Sequence, residues 1–249
     1  MAGFPATGLS ARSGSQEATR DDYMTRSVIV TGGFGVLGQA VAEAFAVRGD
    51  KVARVDFAPQ AGSALPGALD IGGVDLTNPS ATQAALARVV ETHGGIDVLI
   101  NVAGGFQWET LGDGDIGTWA RMHAMNVMTA ATITQLALPE LTKSSQGRIV
   151  NIGAGAAIRA GMGMGAYAAS KSGVHRLTEA LAEELAGTSV TVNAVLPSII
   201  DTPTNRADMP DADVSQWVKP AAVADVILFL ASPSASAVTG ALIPVTRGG

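Results

Sequence analysis

The sequence predicts one α/β domain, a doubly wound parallel sheet with helices on both faces, and three observations predict it. Short runs rich in β-branched residues alternate with longer helical patterns from Ser27 to the C-terminus. A glycine-rich turn over residues 31–38 joins the first strand to the first helix. The 249 residues are 47% apolar and only 15% charged, which supports one large core and excludes a disordered chain.

The elements follow in order. Residues 27–30 read as a buried strand, and a helix over about 37–48 ends with Gly49 at its C′ position. A second strand covers 51–56, and 58–73 reads as loop. Asn78-Pro79 opens a helix with proline in its first turn, and Gly94-Gly95 closes it. Strand 96–101, a mostly helical stretch 116–141, strand 148–152 and helix 166–186 come next. Strand 190–196, helix 221–231 and a last short strand 241–245 complete the pattern. The irregular stretch 197–220 reads as a lid, with its covering part at about 202–220. Residues 1–24 are polar, lack an apolar signal core and read as a flexible leader, leaving 25–249 as the domain.

Composition excludes several functions. Sixteen Lys and Arg against 22 Asp and Glu, with no basic cluster, argue against a nucleic-acid partner. The absence of Cys removes thiolate catalysis, disulfides and cysteine metal sites, and His93, His123 and His175 are too dispersed for a local zinc motif, so no metal is expected. The longest uncharged stretch, 122–139, is too polar to cross a membrane, and the expected location is the cytoplasm.

The turn Thr31-Gly32-Gly33-Phe34-Gly35-Val36-Leu37-Gly38 lies between strand and helix. Glycines at 32, 35 and 38 would let the backbone approach a pyrophosphate at the helix N-terminus, with Phe34, Val36 and Leu37 in the same turn. Asp56 ends the second strand, where a carboxylate would accept the adenosine ribose hydroxyls and repel a 2′-phosphate. No Arg or Lys lies between Gly32 and Gln39, so NAD is expected over NADP. Arg54, on the same strand face, is the one nearby cation, and a strand-end cap is the other use for Asp56.

Tyr167 and Lys171 are spaced to share one helix face. With the glycine turn and Asn101-Val102-Ala103-Gly104, they make the chain resemble the short-chain dehydrogenase/reductase family from about Ser27 to the C-terminus. The resemblance implies a Rossmann-like domain, usually a homotetramer, that moves hydride between nicotinamide and a small molecule. It implies that Tyr167 donates or accepts the proton, and that Lys171 binds the nicotinamide ribose and lowers the phenol pKa. By the same resemblance Asn126 holds a relay water and Asp75 and Leu76 line the adenine. Asn101, Ala103 and Gly104 would flank the cofactor, and Thr202, with Pro197 and Ile200 in its loop, would face the carboxamide.

The chain departs from the family at three places. The second glycine is Gly35, where the family usually has it at the position of Val36; Ser198 follows Pro197 where glycine is common; and Ala154 stands where the catalytic serine is expected. Loss of one such donor typically costs on the order of 10²–10³ in rate. The run 196–217, the glycine spacing and Val102-Ala103-Gly104-Gly105 resemble the quinonoid dihydropteridine reductase branch, which also has alanine there but lacks Asn101 and Asn126. The expected activity is NADH-dependent reduction of a small conjugated C=N or C=O group. An ordinary ketone reductase or secondary-alcohol dehydrogenase of the 3-oxoacyl reductase kind, and a non-catalytic NAD sensor, are the alternatives.

Phe106, Trp108, Met162, Met164, Met209 and Trp217, beside Ala154, are expected to line a flat apolar substrate pocket. Arg159, Arg206 and His175 are expected on the solvated surface. Helices 116–141 and 166–186 are expected to pair copies into a tetramer or dimer.

Overall fold

Seven strands pair in the order β3-β2-β1-β4-β5-β6-β7, every neighbour parallel, in a computed structural model that describes residues 25–247. The strands are β1 (Ser27–Thr31), β2 (Lys51–Val55), β3 (Leu69–Ile71), β4 (Val98–Asn101), β5 (Arg148–Ile152), β6 (Thr191–Pro197) and β7 (Leu242–Val245). The helices are α1 (Val36–Val47), α2 (Pro79–His93), α3 (Gly117–His123), α4 (Thr129–Leu141), α5 (Gly165–Glu184), α6 (Pro203–Asp208) and α7 (Pro220–Leu230). The order reverses between β1 and β4, and a crevice opens beyond the C-terminal ends of strands at such a switch point.

The period-two alternation of strands divides the core. Ile29, Leu99, Ile149 and Val192 face α2, α4 and α5 on one side. Val28, Val30, Ile100 and Val150 face α1 and α7 on the other, against Phe45, Ile227 and Leu230. Burial of both faces explains why the central strands read as continuous apolar runs. Local signals end the helices as expected: Asn78 Oδ1 accepts from the amides of Ser80 and Ala81, and Gly94 takes the left-handed conformation at φ 91°.

Three expectations are corrected. The 58–73 segment contains a strand, β3, which adds to β2 through Ala53–Leu69 pairing but is only three residues long. The 116–141 helix is interrupted by a π-helical turn, Ala124–Met128, in which the Thr129 amide reaches back to the Ala124 carbonyl. Such a turn inserts a residue without breaking the helix, so an apolar periodicity does not betray it. The lid segment is also more regular than expected, with α6, a 3₁₀ turn at Val214–Gln216 and a bridge between Ile200 and Val218. The proposed leader, residues 1–24, lies outside the described residues. Among the described residues no helix is long and apolar enough to cross a membrane.

Candidate active site

The glycines of the first turn do different jobs. Gly32 has φ 62°, and a Cβ there would sit 2.9 Å from the Ala103 amide nitrogen. A Cβ on Gly33 would meet Arg54 Cβ at 2.7 Å, and one on Gly38 would meet the Gly32 carbonyl oxygen at 2.0 Å. These three let the turn pack on itself, on β2 and on the loop after β4. Gly35 is the open one, with nothing nearer to its Cβ position than Gly32 O at 3.5 Å. It caps α1 without a side chain, no acid occupies the first turn, and the amides behind it lack intrahelical partners by position. That positive, uncovered helix end fits a pyrophosphate. Leu37 packs its side chain into the core, so only its backbone faces this end.

Asp56 acts partly as the cap foreseen for it. Its two oxygens accept the Phe34 and Ala58 amides, each at 2.9 Å, which fixes a half-buried carboxylate beside the turn. Arg54 is fully buried and pairs with Asp70 through two 2.7 Å bonds, its guanidinium 5.3 Å from the Phe34 ring centroid. The cation beside Asp56 is thus matched by Asp70. Asp75 is exposed, and its bonds from the Thr77 hydroxyl and amide hold its carboxyl below the usual range.

Two residues expected beside the cofactor turn inward. The Leu76 side chain belongs to the core, because it closes the apolar layer over α2. Asn101 is buried, and its Nδ2 donates to Asn151 Oδ1 at 2.8 Å and Thr134 Oγ1 at 3.0 Å, while Asn151 donates to Thr178. A polar ladder therefore crosses β4 and β5, joining α4 to α5. The following Ala103 amide donates to Thr31 Oγ1, and Gly104 faces Asn126 and Lys171 so closely that a Cβ would lie 2.4 Å from Asn126 Oδ1.

Tyr167, Lys171 and His175 follow one another along one face of α5. Lys171 is buried and donates to the Ile152 carbonyl at 2.8 Å; burial lowers its pKa to about 8. Burial pushes the Tyr167 phenol up to about 12, opposite to the lowering expected from Lys171, because loss of water dominates at the ring. Asn126 sits in the π turn, accepts the Gly105 amide at 2.9 Å and donates to the Gly105 carbonyl and Ser170 Oγ. Ser170 in turn donates to the Tyr167 carbonyl at 2.7 Å.

Ala154, where the resemblance implies a serine, is braced by a histidine. Ala154 is buried, and its amide donates to His175 Nε2 at 3.3 Å, which places the proton of a neutral ring on Nδ1. A Cβ on Gly153 would meet that nitrogen at 2.5 Å. His175 is therefore buried beneath the site, contrary to the expected surface position, and burial lowers its pKa. Its spacing of eight residues from Tyr167 is the signal that identifies its face. Arg206 is held by Asp201, whereas Arg159 is exposed.

Phe106 meets the Tyr167 ring edge to face, with centroids 4.9 Å apart. Trp108 Nε1 donates to the Met162 carbonyl at 3.0 Å, and the Glu109 amide donates to the Gly163 carbonyl at 2.8 Å. Trp217 is only 5% exposed, unlike Phe106, Trp108 and Met162. Met164 and Met209 are half-buried. Pro197 ends β6, Ile200 pairs with Val218, and Thr202 Oγ1 accepts the Asn205 amide while keeping its own proton to donate.

The buried Lys171 has a consequence for stability. A lysine whose folded pKa is lowered binds fewer protons when folded, so stability rises as pH climbs through the folded value. Between pH ~7.5 and ~9.5, below the ordinary phenol range, the cofactor-free protein is expected to gain about 2 kcal/mol from this group. Urea unfolding at both pH values should show the gain in the wild type and lose it in Lys171→Met; equal slopes would reject the assignment.

Comparison with known proteins agrees with this geometry. The family model described as short chain dehydrogenase matches residues 26–213. The chain is similar to the 3-oxoacyl-[acyl-carrier-protein] reductase of Thermotoga maritima, 32% identical over 235 residues, covering 88% of this chain and 96% of that one. It superimposes on the ligand-free aldohexose dehydrogenase of Thermoplasma acidophilum with a TM-score of 0.82 and 30% identity, covering 89% and 92% of the two chains. The 3-ketoacyl-(acyl-carrier-protein) reductase of Brucella melitensis, solved with NADH, gives 0.80 at 26% identity, covering 88% and 96%. None of these three carries a dihydropteridine reductase name. With a matched model over most of its length and a relative 32% identical across 88% of it, the chain belongs to the short-chain dehydrogenase/reductase family and is an oxidoreductase.

Proposed function

We propose that the protein is an NADH-dependent reductase of small uncharged ketones, and a dehydrogenase of the matching alcohols, with Tyr167 as its only side-chain donor to the carbonyl oxygen. The observation that carries the reading is the α5 face, where Tyr167 and Lys171 lie one turn apart, Lys171 is bonded to Ile152 of β5, and Ala154 next to that strand offers no hydroxyl. The 3-oxoacyl and 3-ketoacyl reductases among its relatives support a ketone substrate, and the neighbour solved with NADH supports a nicotinamide.

The open end of α1, with Gly32, Phe34, Gly35, Val36 and the Leu37 backbone, would hold the pyrophosphate. Asp56 would take the adenosine ribose, and its charge is the basis for NADH over NADPH. Asp75 and the Leu76 backbone would border the adenine, Ala103 and Gly104 the middle of the cofactor. Pro197, Ile200 and the free Thr202 proton would border the carboxamide.

The cofactor, when bound, supplies the hydride that reaches the carbonyl carbon. Tyr167 gives its proton to the oxygen that gains the electron pair, and a phenol pKa near 12 keeps it in the donating form at neutral pH. Lys171 spends one N–H on Ile152 and keeps two for ribose hydroxyls. Asn126 has both amide protons committed to Gly105 and Ser170, which makes its side chain a positioning group for the 104–106 loop. The outer faces of α4 and α5 are the surfaces through which we place a homo-oligomer contact.

A second reading rests on Ala154: a quinonoid dihydropterin spreads incoming charge and needs no second donor. Purified protein should therefore be given NADH or NADPH with a ketone panel and quinonoid dihydropterin, and cofactor absorbance followed. Faster turnover of ketones with NADH supports the proposal; preferential dihydropterin turnover overturns the ketone assignment. Tight NADH binding with no turnover of any substrate would make the protein a sensor.

Ala154→Ser adds the absent donor on a backbone already fixed by His175. It is expected to raise kcat on small ketones about 10-fold or more, within the roughly 10²–10³ that one oxyanion donor commands. An unchanged kcat across the panel would show that Tyr167 alone meets the developing charge.

A further inference from the structure

The loop after β4 and the loop before α5 are clasped to each other across the mouth of the site. The Trp108 indole and Glu109 amide both donate into the 162–163 backbone, and Gly163 adopts φ 73° where any Cβ would fall 2.1 Å from the indole. Phe106, two residues earlier, leans edge-on against the Tyr167 ring. The two rings are held in place yet stay uncovered, and the Met162 side chain is open beside them: Phe106 is 52% exposed, Trp108 54% and Met162 81%. Two fixed rings and a thioether left in water beside a proton donor form an unspent apolar surface.

We infer that the substrate carbonyl is carried on a flat apolar ring system, and that Phe106, Trp108 and Met162 select it. The inference rests on Tyr167 as the proton donor proposed above and adds the substrate class to it. Rings and sulfur favour an aromatic or alicyclic ring by edge-to-face and sulfur–ring contacts. Ala154 brings a buried methyl and adds no side-chain polar group. Charge points the same way. Arg206 is bound to Asp201, and Lys171 and His175 are buried. On the 158–164 loop itself Arg159 is an exposed cation.

The test compares three ketones with NADH: α-tetralone, a ring-carboxylated tetralone, and the linear acetoacetyl N-acetylcysteamine thioester. The wild type should prefer α-tetralone over the thioester by about 10-fold in kcat/KM. In Phe106→Ala and Trp108→Ala that preference should fall about 5–10-fold, the loss carried by KM. A wild-type preference for the thioester overturns the ring assignment, and a preference for the carboxylated ketone transfers selection to Arg159. Equal losses on all three ketones would reduce the wall to a brace for Tyr167. Calorimetric titration of α-tetralone into NAD⁺-loaded protein separates this inference from the reductase reading. Binding that weakens in Trp108→Ala without turnover would sink the reaction and keep the ring site, and turnover of the thioester without α-tetralone binding would do the reverse.

Discussion

Tyr167→Phe is expected to lower the rate of ketone reduction by roughly 10²–10⁴-fold, the range commanded by a positioned general acid. The upper end applies because Ala154 leaves no neighbouring hydroxyl to take over the developing charge. The substitution keeps the ring, so the edge contact with Phe106 and the packing of α5 persist. Lys171 keeps its bond to Ile152 and its remaining N–H groups. NADH affinity should accordingly stay within about threefold of the wild type, and single-turnover kinetics should place the loss in the chemical step. A loss below tenfold would remove Tyr167 from the proton path.

The second large effect separates two glycines of one turn. Gly38→Ala drives a methyl to 2.0 Å from the Gly32 carbonyl oxygen and 2.9 Å from Gly33 Cα, and backbone on both sides leaves no flexible group to yield. The variant is expected to lose more than about 3 kcal/mol, in the range of severe core overpacking, and to fold poorly if at all. Gly35→Ala has φ −75° and a nearest contact of 3.5 Å, so it should fold with a change within about 1 kcal/mol. Thermal unfolding of the two proteins side by side decides the matter. Equal stability would mean that the turn is not packed as described.

The alternation of strand and helix is readable because each strand pairs in parallel and every crossover except that from β2 to β3 carries a helix. Even the caps at Asn78 and Gly94 stand in the residue types. What escaped depends on neighbours distant in the chain. β3 is three residues of an edge, too short for a period to show. The three packing glycines and the one open glycine look alike until β2 and the Ala103 loop come to lie against them. The motif around Asn101 does not show that its side chain is taken up by a cross-strand amide, nor does the sequence around Trp217 show its burial. His175 was assigned to solvent by its polarity, although its spacing along α5 carried it beneath Ala154.

The bridge between Ile200 and Val218 gives the 201–217 segment a closed neck. Val218 donates to Ile199 and Asp201 donates to Val218, each at 2.8 Å, so the segment leaves β6 and returns to α7 at one anchored point. A loop closed in this way gains or loses residues at little entropic cost, since each doubling of length adds only about 0.6 kcal/mol. The segment is thus an exchangeable cassette. Its residues can be lengthened, shortened or exchanged while the sheet and the open end of α1 stay untouched.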